Sequence, residues 1–202
     1  MKLVLTVLTM AAVAACSYAK DDESLPTVIQ SSMPVGYKAA SFVPSDFNGD
    51  GLNDFVVIAT SVKEITDQSS LRDNSPKRWV LVYFGKVDGN ELKYELVGQN
   101  DTVAFPANGG GLAGPCDPVF DQGDGLAAKG AYFTVENQVA CGAHWTNYIT
   151  FKYSSIAKTM VFENEIFESS GFDDKTGEFG VIKRSVKKAE SKAILFKDYK
   201  TF

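Results

Sequence analysis

Short runs of β-branched and aromatic residues recur along the chain between turn residues, and a chain punctuated this way is constrained to fold as sheet. Residues 55–61 (FVVIATS) form one such run. Residues 78–86 (RWVLVYFGK) are apolar on both faces, which predicts a central strand. Val87-Asp88-Gly89-Asn90 predicts a hairpin turn into 91–98 (ELKYELVG), because Asp and Gly tolerate positive φ. Residues 131–138 (AYFTVENQ) and 145–153 (WTNYITFKY) follow. In the second, Trp145, Ile149, Phe151 and Tyr153 share one face, and Thr146, Tyr148, Thr150 and Lys152 the other. Residues 159–167 lead through the turn Asp174-Lys175-Thr176-Gly177 to 178–186, and 193–199 (AILFKDY) reads as the last strand. Helical periodicity is limited to a turn or two within 62–73 and 186–192. The expectation is an all-β or β-dominated single domain over 37–202, of about eight mostly antiparallel strands.

The first residues lie outside this pattern. Lys2 precedes an apolar stretch, Leu3 to Ala15, that is too short to span a bilayer, and Ser17 and Ala19 supply the small residues of a cleavage site. The reading is an export signal over 1–19. Val13-Ala14-Ala15-Cys16 also resembles a bacterial lipobox, which would end the signal at residue 15 and put a lipid on Cys16. Both readings place the protein in the periplasm, soluble or lipid-anchored, and only the second implies membrane contact. Residues 20–36 are polar with two prolines and read as a tether, with room for a short strand at its end.

Charge and cysteine narrow the classes further. Removing Lys2 with the signal leaves 19 basic against 25 acidic residues, a net charge of −6, which argues against a nucleic-acid partner and suits a basic protein. Cys116 and Cys141 are the cysteines left in the folded part, and in an oxidising compartment they predict one disulfide. Closing that loop stabilises by about 3.5 kcal/mol on the chain-entropy model.

The stretch 46–55 reads DFNGDGLNDF. Asp46, Asn48, Asp50 and Asp54 fall at positions 1, 3, 5 and 9 of a D-x-N-x-D-G-x-x-D loop, with Gly51 at the sharp turn and the carbonyl of Leu52 at position 7. Hard cations such as Ca²⁺ take six to eight oxygens, and alternate residues of a tight loop converge on one ion. Phe47, Leu52 and Phe55 would anchor the loop to a core. Position 12 is Val57, where an EF-hand carries a bidentate Glu, and strand rather than helix follows. An Asp- and Gly-rich turn that binds nothing is the simpler alternative, and structural support the simpler use of a bound calcium.

DFNGDGLNDFVVIAT resembles a single VCBS or FG-GAP type repeat, the calcium-loop-then-strand unit of integrin-like β-propellers. It occurs once, with no repeat of blade length, so a full propeller is not expected. The chain is similar over most of 41–167 to small exported bacterial proteins with one such loop. Those carry a K-G-x-x-x-[ILV] strand before a G-x-x-W segment, here Lys129-Gly130-Ala131-Tyr132-Phe133-Thr134-Val135 and Gly142-Ala143-His144-Trp145. The resemblance implies a fold and a metal, and little about activity.

Residues 106–125 (PANGGGLAGPCDPVFDQGDG) form a long Gly- and Pro-rich loop, and a loop of that length is functional or tied down. Asp117, Asp121 and Asp124 in it form a possible binding loop or a second calcium site, or a solvated acidic loop. His144, the single histidine, reads as hydrogen-bonded or exposed beside the disulfide; zinc and Cys–His catalysis lack supporting ligands or an activated thiol. No nucleophile elbow, zinc-protease motif or phosphate loop occurs, so no catalytic residue is assigned. Lys183, Arg184, Lys187, Lys188 and Lys192 read as lysines protecting a hairpin edge, or as a dock for an acidic surface or anionic lipid. The expected function is an exported, calcium-stabilised, non-enzymatic domain that binds another envelope or secreted protein, such as an inhibitor or immunity protein against a secreted toxin. An envelope hydrolase or carbohydrate-binding module using the 106–125 loop is the alternative.

Overall fold

The structure is a computed structural model, and it describes residues 24–66, 75–108, 116–120, 123–139, 141, 144–173 and 175–201. The signal and lipobox readings, residues 109–115 and 121–122 of the glycine-rich loop (Asp121 among them), the Gly142-Ala143 pair and Asp174 of the expected turn lie outside them. The chain is β-dominated. Strands β1 (Tyr37–Ser45), β2 (Asp54–Ser61), β3 (Trp79–Asp88) and β4 (Glu91–Asn100) form one antiparallel sheet in sequence order. Strands β5 (Leu126–Lys129), β6 (Tyr132–Val139), β7 (His144–Ser154), β8 (Thr159–Phe172) and β9 (Phe179–Lys188) form a second. Among the described residues, two short helices, α1 (Thr27–Ser31) and α2 (Val62–Thr66), and a 3-10 turn at Phe196–Asp198 complete the regular elements. The turns follow the chemistry read from the sequence. Gly89 turns β3 into β4 at φ 65°, and Gly177 turns β8 into β9 at φ 70°.

The two sheets face one another across a shared core. Val56 and Ile58 of β2 and Val80 and Val82 of β3 meet Phe133 and Val135 of β6, Ile149 and Phe151 of β7, and Met160 and Phe162 of β8. Period-2 alternation puts Phe55, Val57, Ala59, Leu81 and Tyr83 on the opposite face of the first sheet, where they form a second cluster. β2 is therefore buried along its whole length, and both β2 and β3 are interior strands, as an apolar run without alternation requires.

That outer face is covered by the segment expected to be a tether. Over its described part, residues 24–36, the chain forms α1 and buries Leu25 and Ile29 against the second cluster. Leu25 precedes the helix and Ile29 lies within it, and both turn inward despite polar neighbours. Ser32 Oγ donates to Tyr83 Oη at 3.0 Å and pins the segment to β3.

The last run also differs from expectation. Residues 193–199 make one isolated bridge, Val161 to Leu195, and then the 3-10 turn, rather than a strand. The turn drops Phe196 and Tyr199 into the core, where Phe151 packs edge-on against both rings at 5.0 and 5.4 Å. Asn100 Nδ2 donates to the carbonyls of Phe196 (2.7 Å) and Tyr199 (2.8 Å) and holds the turn in place. Gly98 makes room for it, since a Cβ there would lie 2.9 Å from the Phe196 ring. Strands β1 and β5 were not expected. β1 carries Pro44, which an edge strand tolerates, and β5 is four residues long beside the glycine-rich stretch.

Candidate functional site

The loop between β1 and β2 is built by its own short acids. Asp46 accepts three backbone N–H groups, Gly49 (2.8 Å) and Asp50 (3.1 Å) on Oδ1 and Gly51 (2.9 Å) on Oδ2. Asn48 Oδ1 accepts from Asp50 N at 2.9 Å, and Asp50 Oδ1 from Leu52 N at 2.9 Å. Asn48 Nδ2 donates to Asp50 Oδ2 at 3.0 Å. Gly49 and Gly51 take φ of 78° and 85°, where a side chain would strain the turn. Phe47 is buried and meets Phe133 edge-on at 6.0 Å, so the loop is rooted in the inter-sheet core.

Asp54 sits beneath this turn and is fully buried. Its Oδ2 accepts from Phe47 N and its Oδ1 from Gly85 N on β3, both at 2.9 Å. Burial pushes its carboxyl up to about 6, against the pull of the backbone N–H groups, and the nearby Asp50 charge raises it further. Gly85 was not singled out from the sequence. A Cβ there would lie 2.8 Å from the Asn53 carbonyl, so only glycine lets the loop lie on β3. The signal was a lone Gly inside an otherwise apolar strand, which marks close backbone approach.

The donors gathered here are all oxygens, the set a hard cation prefers: Asp46, Asn48, Asp50, the Leu52 carbonyl and, below them, Asp54. No Lys or Arg pairs with the three acids among the described residues. Nor do three or more His, Cys, Asp or Glu side chains converge as a metal cage there. A cation at this loop would draw on the Asn48 amide and the Leu52 carbonyl as much as on carboxylates. Calcium, if bound, would cross-link the turn and neutralise its acids.

The far end of β2 carries a second polar cluster that the sequence did not reveal. Arg78, 1% exposed, donates from Nε to Glu64 Oε1 at 2.9 Å, and its Nη2 reaches both Glu64 and Asp117. Its Nη1 donates to Asp117 Oδ1 (2.6 Å) and to the Phe105 carbonyl (3.0 Å). Thr60 Oγ1 donates to the other Glu64 oxygen, and the guanidinium lies 4.9 Å from the Phe120 ring centroid. Burial alone would pull the Arg78 proton affinity down; Asp117 and Glu64 more than reverse it. Asp117 is thus the counter-ion of a buried arginine rather than a solvated acid. Asp124 is exposed, and Asp121 lies outside the described residues.

Cys116, next to Asp117, is bonded to Cys141, with Cα atoms 5.6 Å apart. The bonded sulfurs offer neither a zinc ligand nor a thiol nucleophile. His144 stands edge-on to Phe179 at 5.4 Å. With Trp145, Gln138, Thr146 and Ser170 it lines a shallow cleft of about 220 Å³.

Comparison of the chain with protein-family models, with curated proteins and with solved structures returns no match.

Two outcomes follow from these geometries. The raised Asp54 carboxyl means that the folded, metal-free chain holds this proton more tightly than the unfolded chain does. Its stabilising contribution is full below pH about 4 and is lost as pH rises to about 6. In EDTA, urea midpoints of wild type should therefore gain on those of Asp54→Asn when pH falls from 7 to 4; a constant difference contradicts the assignment. Arg78→Ala strands the buried Glu64 and the part-buried Asp117 carboxylates and should cost about 3–5 kcal/mol in the same assay. Neutralising both acids as well (Glu64→Gln, Asp117→Asn) should restore most of the loss. No restoration would show that the cluster's charge is not what the arginine balances.

Proposed function

We propose that the chain is an exported, non-enzymatic protein-binding domain of the bacterial envelope, with calcium holding the 46–54 loop and the β8–β9 ribbon forming the binding surface. The observation that carries this reading is the ribbon. Nine of the ten β9 residues are exposed, so the strand is covered on neither face. Phe172, Phe179, Val181, Ile182 and Val186 are 48–70% exposed on it or at its turn. Exposed apolar residues interleaved with charge on both faces of one ribbon suit an interaction site. An inhibitor or immunity protein against a secreted toxin is the kind of binder that suits a small domain of this build.

The glycan-binding or hydrolytic alternative draws support from the His144–Trp145–Phe179 cleft, where aromatic rings face solvent beside polar groups. That cleft has no carboxylate among its described lining residues, and glycoside hydrolysis needs a pair.

The test is capture from an envelope extract, with residues 20–202 as bait, in calcium and in EDTA. The expected result is one protein retained in stoichiometric amount in calcium, retained less in EDTA, and lost from the Phe179→Ala, Ile182→Ala double variant. Retention of nothing by wild type in either buffer overturns the protein-binding reading and sends the search to glycans.

A further inference from the structure

We propose that the open edge of β9 is a strand-addition site for an extended, acidic segment of a partner protein; this deepens the protein-binding reading above and rests on it. β9 is the last strand of the five-stranded sheet and, among the described residues, pairs only with β8. Ala189 N donates to the Glu163 carbonyl at 2.8 Å, and the positions 164/188, 166/186 and 168/184 stand opposite one another. Hydrogen-bonded and non-hydrogen-bonded pairs alternate along an antiparallel ladder. The N–H and C=O groups of Arg184, Val186 and Lys188 therefore point away from β8, towards the open side. The ladder shifts register beside Val181 and Lys183, leaving Ile182 as an extra residue, so the regular part of this edge is 183–188.

The side chains around that row specify what can dock. A groove of about 610 Å³ on one face of the ribbon has Ile166 and Val186 as its apolar part and Arg184 and Lys188 as its cations, with Glu163 at one end. The whole chain is acidic, 25 acids against 20 bases, yet 183–188 holds four cations and no acid. Arg184 is partly matched by Glu168 at 2.9 Å, and Lys187 lies over the Phe162 and Tyr199 rings opposite the buried Glu165. Lys183 and Lys188 have no ion-pair partner among the described residues.

An added strand with acids opposite Lys183, Arg184 and Lys188 would meet the first on one face of the ribbon and the other two on the opposite face. Its apolar residues would cover Val186 and Ile166. A second copy of this chain fits badly, because pairing β9 with itself sets cation rows against each other. Lysines alone protect an edge from such pairing, but protection does not account for Val186 lying about half-exposed between them, nor for Val181 and Ile182 beside them. Main-chain bonds with alternate side-chain contacts are the ordinary mode of strand addition.

The experiment follows amide exchange by NMR in the mature chain with three probes: the short peptide Glu-Ser-Val-Ser-Glu-Glu, whose acids fall opposite Lys188, Arg184 and Lys183 and whose valine falls opposite Val186 in antiparallel addition, its Lys-for-Glu counterpart, and phosphatidylglycerol vesicles. The acidic peptide should slow exchange at Arg184, Val186 and Lys188 and leave the amides already bonded to β8 unchanged; the basic peptide should do neither. Val186→Pro removes an outward N–H from an edge strand and should weaken peptide binding about tenfold, while Val186→Thr should not. Should the proline variant fail to fold, Lys183→Glu with Lys188→Glu should abolish protection by the acidic peptide and admit the basic one. Equal protection by both peptides, protection by neither, protection in the chain alone that grows with its concentration, or binding to vesicles only would each overturn the proposal. A partner captured from extract equally well by wild type and Val186→Pro overturns strand addition but leaves the protein-binding reading standing. No capture by wild type overturns that reading itself.

Discussion

The Asp54 carboxylate is the joint on which the rest of the domain is assembled. One oxygen holds the Phe47 amide and the other the Gly85 amide. The first bond fixes the loop that turns β1 into β2 and seats Phe47 in the core between the sheets. The second draws that loop down onto β3, where only a glycine permits the approach. The acids above can then organise the turn from its own backbone. This arrangement buries a charge, and the raised pKa shows that the hydrogen bonds compensate only part of the desolvation. A cation above the carboxylate would offset the remainder.

β2 carries the same problem at its other end and solves it differently. Its inner face reads Asp54, Val56, Ile58, Thr60: two aliphatics that join the sheets, flanked by two polar groups that cannot reach water. Backbone amides satisfy Asp54. Thr60 is satisfied by Glu64, which in turn requires Arg78, and Arg78 requires Asp117. The disulfide at Cys116 fixes the chain beside that last acid. At both ends the polar atoms named here are engaged in holding structure. The β8–β9 ribbon, by contrast, is left uncovered, and it is the surface proposed above for recognition.

Local features were legible in the sequence, and long-range pairings were not. The strands around 55–61, 78–86, 91–98, 131–138, 145–153 and 159–167 announced themselves by alternation or continuous apolarity, and the hairpins by Asp88-Gly89 and Thr176-Gly177. The 46–54 loop was legible because its bonds span two to seven residues. The partners of Arg78 lie 14 and 39 positions away, so no spacing rule could expose the cluster. Leu25 and Ile29 were masked by the polar residues and prolines around them. The run at 193–199 shows a subtler limit: its apolar residues do face inward, but the interior offered them a plug position rather than a ladder. Periodicity reports which way side chains point, not whether the backbone finds a partner.

The most direct test of this account is thermal unfolding of residues 20–202 across a calcium titration, beside the isosteric variant Asp50→Asn, which keeps the acceptor for the Leu52 amide. The account predicts a saturable rise in melting temperature for wild type, with an apparent Kd of about 10⁻⁴–10⁻³ M or tighter. Magnesium should have a smaller effect. The Asp50→Asn protein should melt with wild type in EDTA and gain little from calcium. A wild-type melting temperature that millimolar calcium leaves unmoved would contradict it, and would make the 46–54 turn a self-sufficient knot of backbone hydrogen bonds.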